Sequence, residues 1–364
     1  MTRVERYETA VVGGGQSGLA VGYHLSARDV DFTILGDEQR VGDNWRERWD
    51  SLRLFTPARY SGLPGMPFPA TPSHLADKEE VADYLERYAE RFDLPVQLDT
   101  RVSRLTWNGE LFHIDMDRSA TVIEAENVIV ATGAFQRPRV PAVSRRLSPA
   151  IHQLHSSEYR NPFELPDGQV LVVGAGNSGA QIALELSQSR KVWLAGRDTG
   201  HMPRRLLGRD VFDWLWPVMR RATTATRLGQ RMRRSIQSSA DALIGIPERT
   251  LREAGVTRVE RLENERDGMP LCGDVVLEPS VIVWCTGFSP DYSWIDLPVF
   301  GADGFPRHER GIVAEAPGLY FLGLRFQHRL NSSLLGGVGD DAKFIADMVS
   351  RRCEASTAAA FSAT

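Results

Sequence analysis

LVVGAGNSGAQIALEL, residues 171–186, decides the fold. An apolar run of strand type passes into Gly174-x-Gly176-x-x-Gly179 and then into residues at helical spacing. This is the pattern of a dinucleotide-binding turn. Its first glycine permits the tight turn, its second lets the backbone approach a pyrophosphate, and its third lets helix and strand pack closely. The helix N-terminus then offers N–H groups and a partial positive charge to the phosphates. The same pattern stands near the chain start, AVVGGGQSGLAVGYHL at 10–25, with Gly13, Gly15 and Gly18. Both copies follow an apolar strand and open a helix, the context that separates a true turn from a chance run of glycines.

Working outward, residues 7–35 read strand, turn, helix, strand. Residues 37–75 are rich in Pro, Gly, Trp and Arg and read as irregular loop with short helical pieces. EEVADYLERYAERF (79–92) is an amphipathic helix, and 95–130 alternates like strands. A second unit begins near Gln169 and repeats the strand, turn, helix and strand order. VIVATGAF (128–135) is echoed by VIVWCTGF (281–288). The expected architecture is α/β: two Rossmann-like dinucleotide-binding domains, one inserted into the other. The outer domain takes residues 1–164 and 280–364, and the inserted one takes 165–279. The latter carries a basic, aromatic helical insertion at 203–245.

The bulk numbers bound the class. With 364 residues, 42% hydrophobic and 25% charged, the chain is a globular protein of two or three domains. A net charge of −4 points to neither nucleic acid nor an anionic surface as the partner of the whole molecule. Cys272, Cys285 and Cys353 form no CxxC pair and no metal-ligand spacing, so no metal is expected and a reducing compartment fits. The N-terminus lacks a secretory apolar region and no 18-residue apolar run occurs, so the expected location is cytoplasmic, without a transmembrane segment.

The strand ends after the turns distinguish the ligands. An acid about 20 residues on binds ribose hydroxyls, and an arginine accommodates a 2′-phosphate. The second unit ends LAGRDTGH, where Arg197 favours NADPH and the adjacent Asp198 keeps NADH open. In the first unit Gly36 stands at the acidic place, with Asp37 and Glu38 just after. Two dinucleotides in one enzyme divide the labour: a nicotinamide donates hydride, and a flavin takes it and passes electrons on. The first site is assigned to FAD and the second to NAD(P)H.

GGGQSGLA, GAGNSGAQIA, HSSEYRNP (155–162), ATGAF and WCTGFSPDY together resemble the flavin-containing monooxygenases, above all their smaller bacterial members and the plant indole-pyruvate monooxygenases. The likeness runs from Gly13 to about Met348, including GDNWRERW, GMPFP and FQHRLNSSLLGGVGDDAKFIA. It implies that NADPH reduces FAD and that O2 gives a C4a-hydroperoxyflavin, which oxygenates a soft nitrogen or sulfur, or a carbonyl, of a small molecule. The family's linker signature, F-x-G-x-x-x-H-x-x-x-(Y/W), reads PAIHQLHSSEY here. His155 and Tyr159 match, while Pro149 and Ile151 replace Phe and Gly. Members of mammalian type carry an Asn beside the flavin where this chain has HLADKEE.

Candidate residues follow. For FAD they are Gly13, Gly15, Gln16, Ser17, Gly18, Asp37, Glu38, Trp45, Arg46, Thr132, Gly133, Gly339 and Asp340. For NADP they are Gly174, Gly176, Asn177, Ser178, Gly179, Arg197, Thr286 and Gly287. Asn44, Lys78, His155 and Asn177 are catalytic candidates. A helical lid over the substrate channel is expected from 203–245, beside the alternative that this basic, amphipathic stretch lies on a membrane or binds a partner. Two alternatives stand beside the monooxygenase: a reductase serving a quinone or protein acceptor, and a non-catalytic redox sensor. A homodimer is left open.

Overall fold

The structure, a computed structural model, describes residues 3–198, 200–238 and 243–362. The first unit comprises β1 (Arg3–Val12), α1 (Gln16–Ser26), β2 (Phe32–Leu35), the short α2 (Asp43–Arg46), α3 (Lys78–Arg91), β3 (Val96–Gln97), β4 (Val102–Trp107), β5 (Phe112–Met116) and β6 (Thr121–Val130). Its sheet runs β3-β2-β1-β6-β5-β4. β1 pairs in parallel with β2 and β6. The ends of β1 and β6 and the whole of β2 are buried. Covered on both faces, they read as mainly apolar runs, with Thr9, Thr33 and Asn127 buried among them, rather than as alternating ones. β4 and β5 continue the sheet as an antiparallel meander.

The second unit comprises β7 (His152–His155), β8 (Val170–Val173), α4 (Asn177–Ser187), β9 (Val192–Ala195), α5 (Val211–Arg221), α6 (Arg227–Ser238), β10 (Thr257–Val259) and β11 (Val281–Trp284). Its sheet, β10-β9-β8-β11-β7, is parallel throughout. The chain then returns to the first sheet. β12 (Leu319–Phe321) pairs with the last residues of β6, and α7 (Gly339–Ser362) packs on α1. The core follows the same division. Leu19, Val21 and Leu25 of α1 meet Ala342, Ile345 and Val349 of α7 in one cluster, and Val170, Val172, Ile182 and Val283 anchor another.

This pairing corrects the expected boundaries at 164/165 and 279/280. β7 and β11 are strands of the second sheet, so the crossovers lie within 131–151 and 285–318. The reason is the internal echo. VIVATGAF contains the end of β6, beside the glycine-turn strand β1, and VIVWCTGF begins with β11, beside the glycine-turn strand β8. Each unit holds its own copy, whereas the sequence reading gave both to the outer domain.

Of the 203–245 stretch, α5 meets the first unit and Ile244 meets the second unit's glycine turn. Phe212 of α5 stacks with Phe55 at 6.1 Å, and Trp216 stacks with Tyr60 at 4.9 Å. Asp213 accepts from Tyr60 Oη at 2.8 Å and from Arg59 Nη2 at 2.6 Å. These contacts dock α5 on the first unit's 53–60 loop. Among the described residues, no helix is long and apolar enough to cross a membrane.

Candidate functional site: two dinucleotide cradles

The two glycine turns sit at the C-terminal ends of β1 and β8, each against the end of the neighbouring strand. Gly13 and Gly174 have φ of +117° and +113°. A Cβ there would fall 2.6 Å from Ala131 O and 2.2 Å from Cys285 O respectively. At the third positions, a Cβ on Gly18 would lie 1.9 Å from Gly13 O, and one on Gly179 would lie 1.8 Å from Gly174 O. Backbone geometry and helix–strand contact therefore require these four glycines.

The middle glycines are different. Gly176 has φ −81° and a Cβ there would meet nothing within 4 Å. Gly15 has φ −78° and a Cβ there would meet only Asn44 Nδ2, at 3.2 Å. Any residue tolerates such a φ, and protein atoms do not fill the space. The open side is the one a pyrophosphate would occupy. The helix ends agree. α3 is capped by Asp77, whose side chain accepts from Glu80 N while Glu80 closes the capping box. α1 and α4 have glycine N-caps, no side-chain cap and no acid in the first turn. Their first N–H groups remain for an anion, so the residues present fit two dinucleotides.

At the adenosine end of the first cradle, Glu38 curls back over the turn: a Cβ on Gly14 would lie 2.5 Å from Glu38 Oε1. That oxygen is buried without a hydrogen-bond partner. Burial, ahead of the nearby Asp37 charge, pushes the Glu38 carboxyl up to about 7. Asp37 is exposed. Of the two acids after Gly36, Glu38 is the one that turns back over the glycine turn. In the second cradle Arg197 is exposed beside a cleft of about 660 Å³, lined also by Glu260, Arg261, Glu263 and Asn264. Asp198 turns to its own loop, where Oδ1 accepts from Gly200 N at 2.8 Å.

Several candidates prove to hold the framework. Lys78 is buried, and its Nζ donates to Arg46 O and Arg48 O, each at 2.9 Å, and to Asp50 Oδ1 at 2.7 Å. All three ammonium protons are engaged, so Lys78 pins the 46–50 loop to α3 and has no proton to offer chemistry. Arg46 is held by Val41 O at 2.8 Å, Asp83 at 3.0 Å, and Asp43 and Glu86, both at 3.2 Å. The terminal donors of this guanidinium are thus turned toward the chain's own carbonyl and carboxylates. Trp45 packs against both cores.

His155 is buried, with Nδ1 2.9 Å from Ser157 Oγ and Nε2 3.1 Å from Gly287 O. A carbonyl can only accept, so Nε2 carries the proton and Nδ1 accepts. Burial, ahead of these contacts, holds its pKa below the usual histidine value. It ties β7 to the turn after β11 as a neutral ring, edge-on to Phe288 at 4.8 Å. Tyr159, fully buried, donates to Glu185 Oε2 at 2.7 Å. Asn177 Oδ1 accepts from Ile244 N at 2.9 Å, fastening the end of the insertion to the second turn. Ser17 is buried under Gly323, where a Cβ would lie 2.3 Å from its Oγ. Gln16 opens α1 and Ser178 lies in the first turn of α4, both half-buried.

The junction brings together parts that are distant in sequence. Gln136 Nε2 donates to Thr132 Oγ1 and to Gly133 O at 3.1 Å, while its Oε1 accepts from Asp291 N. Thr286 Oγ1 donates to Arg139 O. The two turns after β6 and β11 are thus bridged, and a Cβ on Gly133 or Gly287 would meet nothing within 4 Å. Arg48, passed over in favour of Arg46, lies 5.8 Å from the Phe135 ring and 5.5 Å from the Phe288 ring, with burial lowering its pKa. Nothing in WRERW distinguishes the caged arginine from the one at the junction. Gly339 and Asp340 open α7. The Asp340 carboxylate pairs with Arg329 and, at 3.7 Å, with Arg220, so this turn has only backbone to offer a ligand. Asp341, 1% exposed, lies 3.8 Å from Arg310 Nε, and burial raises its pKa.

Known proteins share this fold. A family model described as pyridine nucleotide-disulphide oxidoreductase matches residues 10–323. An uncharacterized CzcO-like oxidoreductase of Geobacillus kaustophilus is 40% identical over 348 residues, covering 93% of this chain and 97% of the relative. An indole-3-pyruvate monooxygenase of Oryza sativa subsp. japonica is 32% identical over 226 residues, 59% of this chain and 55% of the relative. A flavin-containing monooxygenase from Stenotrophomonas maltophilia superposes with a TM-score of 0.78 at 26% identity, over 96% of this chain and 99% of that one. The chain belongs to the pyridine nucleotide-disulphide oxidoreductase family, as an oxidoreductase of flavin-containing monooxygenase type whose cofactors are a flavin and a pyridine nucleotide.

Proposed function

We propose that this protein is an NADPH-dependent flavoprotein monooxygenase, with FAD in the first cradle and NADPH in the second. It inserts one oxygen atom into a soft nitrogen or sulfur centre, or a carbonyl, of a small molecule. The overall reaction consumes NADPH, a proton, O2 and substrate and yields NADP⁺, water and the oxygenated product. The observation that carries the reading is the pairing of two open pyrophosphate cradles with the lack of a dithiol relay. All three cysteines are free. Burial pushes the thiols of Cys272 and Cys353 up to about 11 and that of Cys285 to about 12. Without a dithiol relay the disulfide-reducing chemistry of this fold has no carrier here, and we take dioxygen as the acceptor, with quinone reduction as the competing outcome of the test below.

The bound flavin supplies hydride acceptance from the nicotinamide and, once reduced, reaction with dioxygen. The chain's own residues bind, orient and keep water out. The uncapped N-termini of α1 and α4 bind the pyrophosphates. Glu38 accepts from ribose hydroxyls, and Arg197 meets the 2′-phosphate while Asp198 is occupied by Gly200 N. α5, docked through Phe212, Asp213 and Trp216, closes over the 53–60 loop. Such closure matters because water in the site diverts the reaction to hydrogen peroxide. The cytoplasm supplies NADPH and keeps unpaired thiols reduced, and belongs to the same reading.

The test is isotopic. With an amine or thioether acceptor, ¹⁸O2 places label in the product, and peroxide accounts for only a minor part of the NADPH oxidised. Unlabelled product, together with fast anaerobic reduction of a quinone, refutes the proposal. Arg197→Ala raises the KM for NADPH about tenfold or more, since a charged hydrogen bond is worth about 1.5–3 kcal/mol, and leaves that for NADH unchanged. An unchanged ratio removes Arg197 from the 2′-phosphate site.

A further inference from the structure

The lid that docks on the first unit has a second side. Arg205–Leu206 and Arg209–Asp210 pair as an antiparallel hairpin whose two-residue turn is Leu207–Gly208. Leu207 has φ +50° and is 84% exposed. Turns of this kind favour Asn-Gly, because a bulky side chain at positive φ is strained. Here a leucine bears the strain with its side chain in solvent. Leu206, Trp214 and Val218 are also exposed, at 46%, 43% and 57%. Trp214 Nε1 donates to Leu206 O at 3.2 Å, and Arg209 lies 5.7 Å from the Trp214 ring, so hairpin and helix form one rigid knob. Val218 follows Trp214 by one helical turn, on the same face.

This face is not waiting for the rest of the chain, since α5 already packs through Phe212, Asp213 and Trp216. The surroundings are cationic. Arg205 and Arg209 are exposed on the hairpin itself, and Arg221 is exposed at the far end of α5, where the neighbouring Arg220 pairs with Asp340 at 3.7 Å. The two acids of the stretch are taken up internally, Asp210 by Arg204 at 2.7 Å and Asp213 by Arg59 at 2.6 Å. This stands on a chain whose net charge is −4.

We propose that the Leu206–Leu207 tip, with Trp214 and Val218, docks the protein on an anionic phospholipid bilayer. The leucines enter the acyl boundary, the tryptophan lies at headgroup level, and the arginine rim meets lipid phosphates. Charge complementarity and shape both favour this occupant. A two-residue tip is convex, whereas a stable protein contact needs about 800 Å² of matched surface per partner. A bilayer admits a protruding tip without a matching groove.

Vesicle flotation of the flavin-loaded full chain tests the proposal. The protein is expected to float with phosphatidylcholine vesicles containing about 30 mol% phosphatidylglycerol, to stay behind with phosphatidylcholine alone, and to be released at about 0.5 M salt. The double variant Leu206→Ser with Leu207→Ser lowers partitioning about tenfold or more, and Arg205→Gln or Arg209→Gln lowers it about fivefold each. NADPH oxidation is unchanged in all of them. A second measurement covers a variant that folds poorly. Leu207→Cys, labelled with a polarity-sensitive dye while Cys272 and Cys353 stay buried and the half-buried Cys285 is controlled for by the native protein treated in the same way, brightens and shifts to the blue on anionic vesicles. Failure of the native protein to float, unchanged partitioning of the leucine variant, or dye emission indifferent to vesicles overturns the proposal. So does loss of a self-associated species in the leucine variant without vesicle binding, which assigns the knob to a second copy of the chain.

Discussion

Gly176→Ala separates what the fold requires from what a ligand requires. The backbone at Gly176 has φ −81° and ψ −173°, and the new methyl group would meet no protein atom within 4 Å. Alanine is a poorer N-cap than glycine by about 1 kcal/mol, and it lowers unfolded-state entropy by about 0.4–1 kcal/mol in compensation. The folded protein should therefore hold its stability to within about 1 kcal/mol, a melting shift of no more than about 4 °C. The methyl group instead projects into the path of a pyrophosphate. Losing one charge-assisted N–H···O contact costs about 1.5–3 kcal/mol, so the Kd for NADP⁺ rises about 10- to 150-fold. Gly179→Ala is the control of opposite kind. Its Cβ would stand 1.8 Å from Gly174 O, so helix and strand must part. That costs several kcal/mol, on the order of 3 or more, in the protein without coenzyme. Calorimetric titration with NADP⁺, melting curves and flavin absorbance of the three proteins measure each quantity. Native affinity in Gly176→Ala refutes the placement of the pyrophosphate over that turn.

Glu38→Gln should steady the flavin-free protein at alkaline pH. Its carboxyl is pushed up to about 7 in the fold from 4.5, so the native state binds more protons than the unfolded chain between those values. Stability consequently falls as pH rises through that window, by at most on the order of 3 kcal/mol. Melts of the flavin-free variant should lose that slope while its flavin affinity drops, and an unaltered slope counts against the buried carboxyl. His308 and His328 act with the opposite sign. Burial, ahead of nearby arginines, lowers both to about 4 from 6.5. The unfolded chain therefore takes up protons first, and stability is lost as pH falls from about 6.5 toward 4. His308→Asn should reduce that acid sensitivity in pH-resolved melts, and an undiminished slope would remove His308 as a source. Lys78→Met strips donors from Arg46 O, Arg48 O and Asp50, for a loss of about 3 kcal/mol seen as a lower melting temperature with retained NADPH preference. A normal melt with abolished turnover would restore Lys78 to the chemistry.

The two glycine turns, the strands feeding them and the α/β class were legible from residue order alone. These are local: a positive φ, an apolar run buried on both faces and a helix start are written in adjacent residues. α3 was equally legible, because its apolar spacing and its Asp77–Glu80 cap lie within its own turns. Strand membership was not. VIVWCTGF looks like a return to the first sheet, and only pairing with His152–His155 and Val170–Val173 places it in the second. Nor could composition sort the charged candidates. Arg46 and Arg48 are two residues apart, yet one is ringed by carboxylates from α2 and α3 and the other faces two aromatic rings from different strand ends. Lys78 follows the same rule, since its three acceptors come from a loop some thirty residues earlier. A side chain's role is set by which partners satisfy its protons and lone pairs, and those partners arrive by tertiary folding.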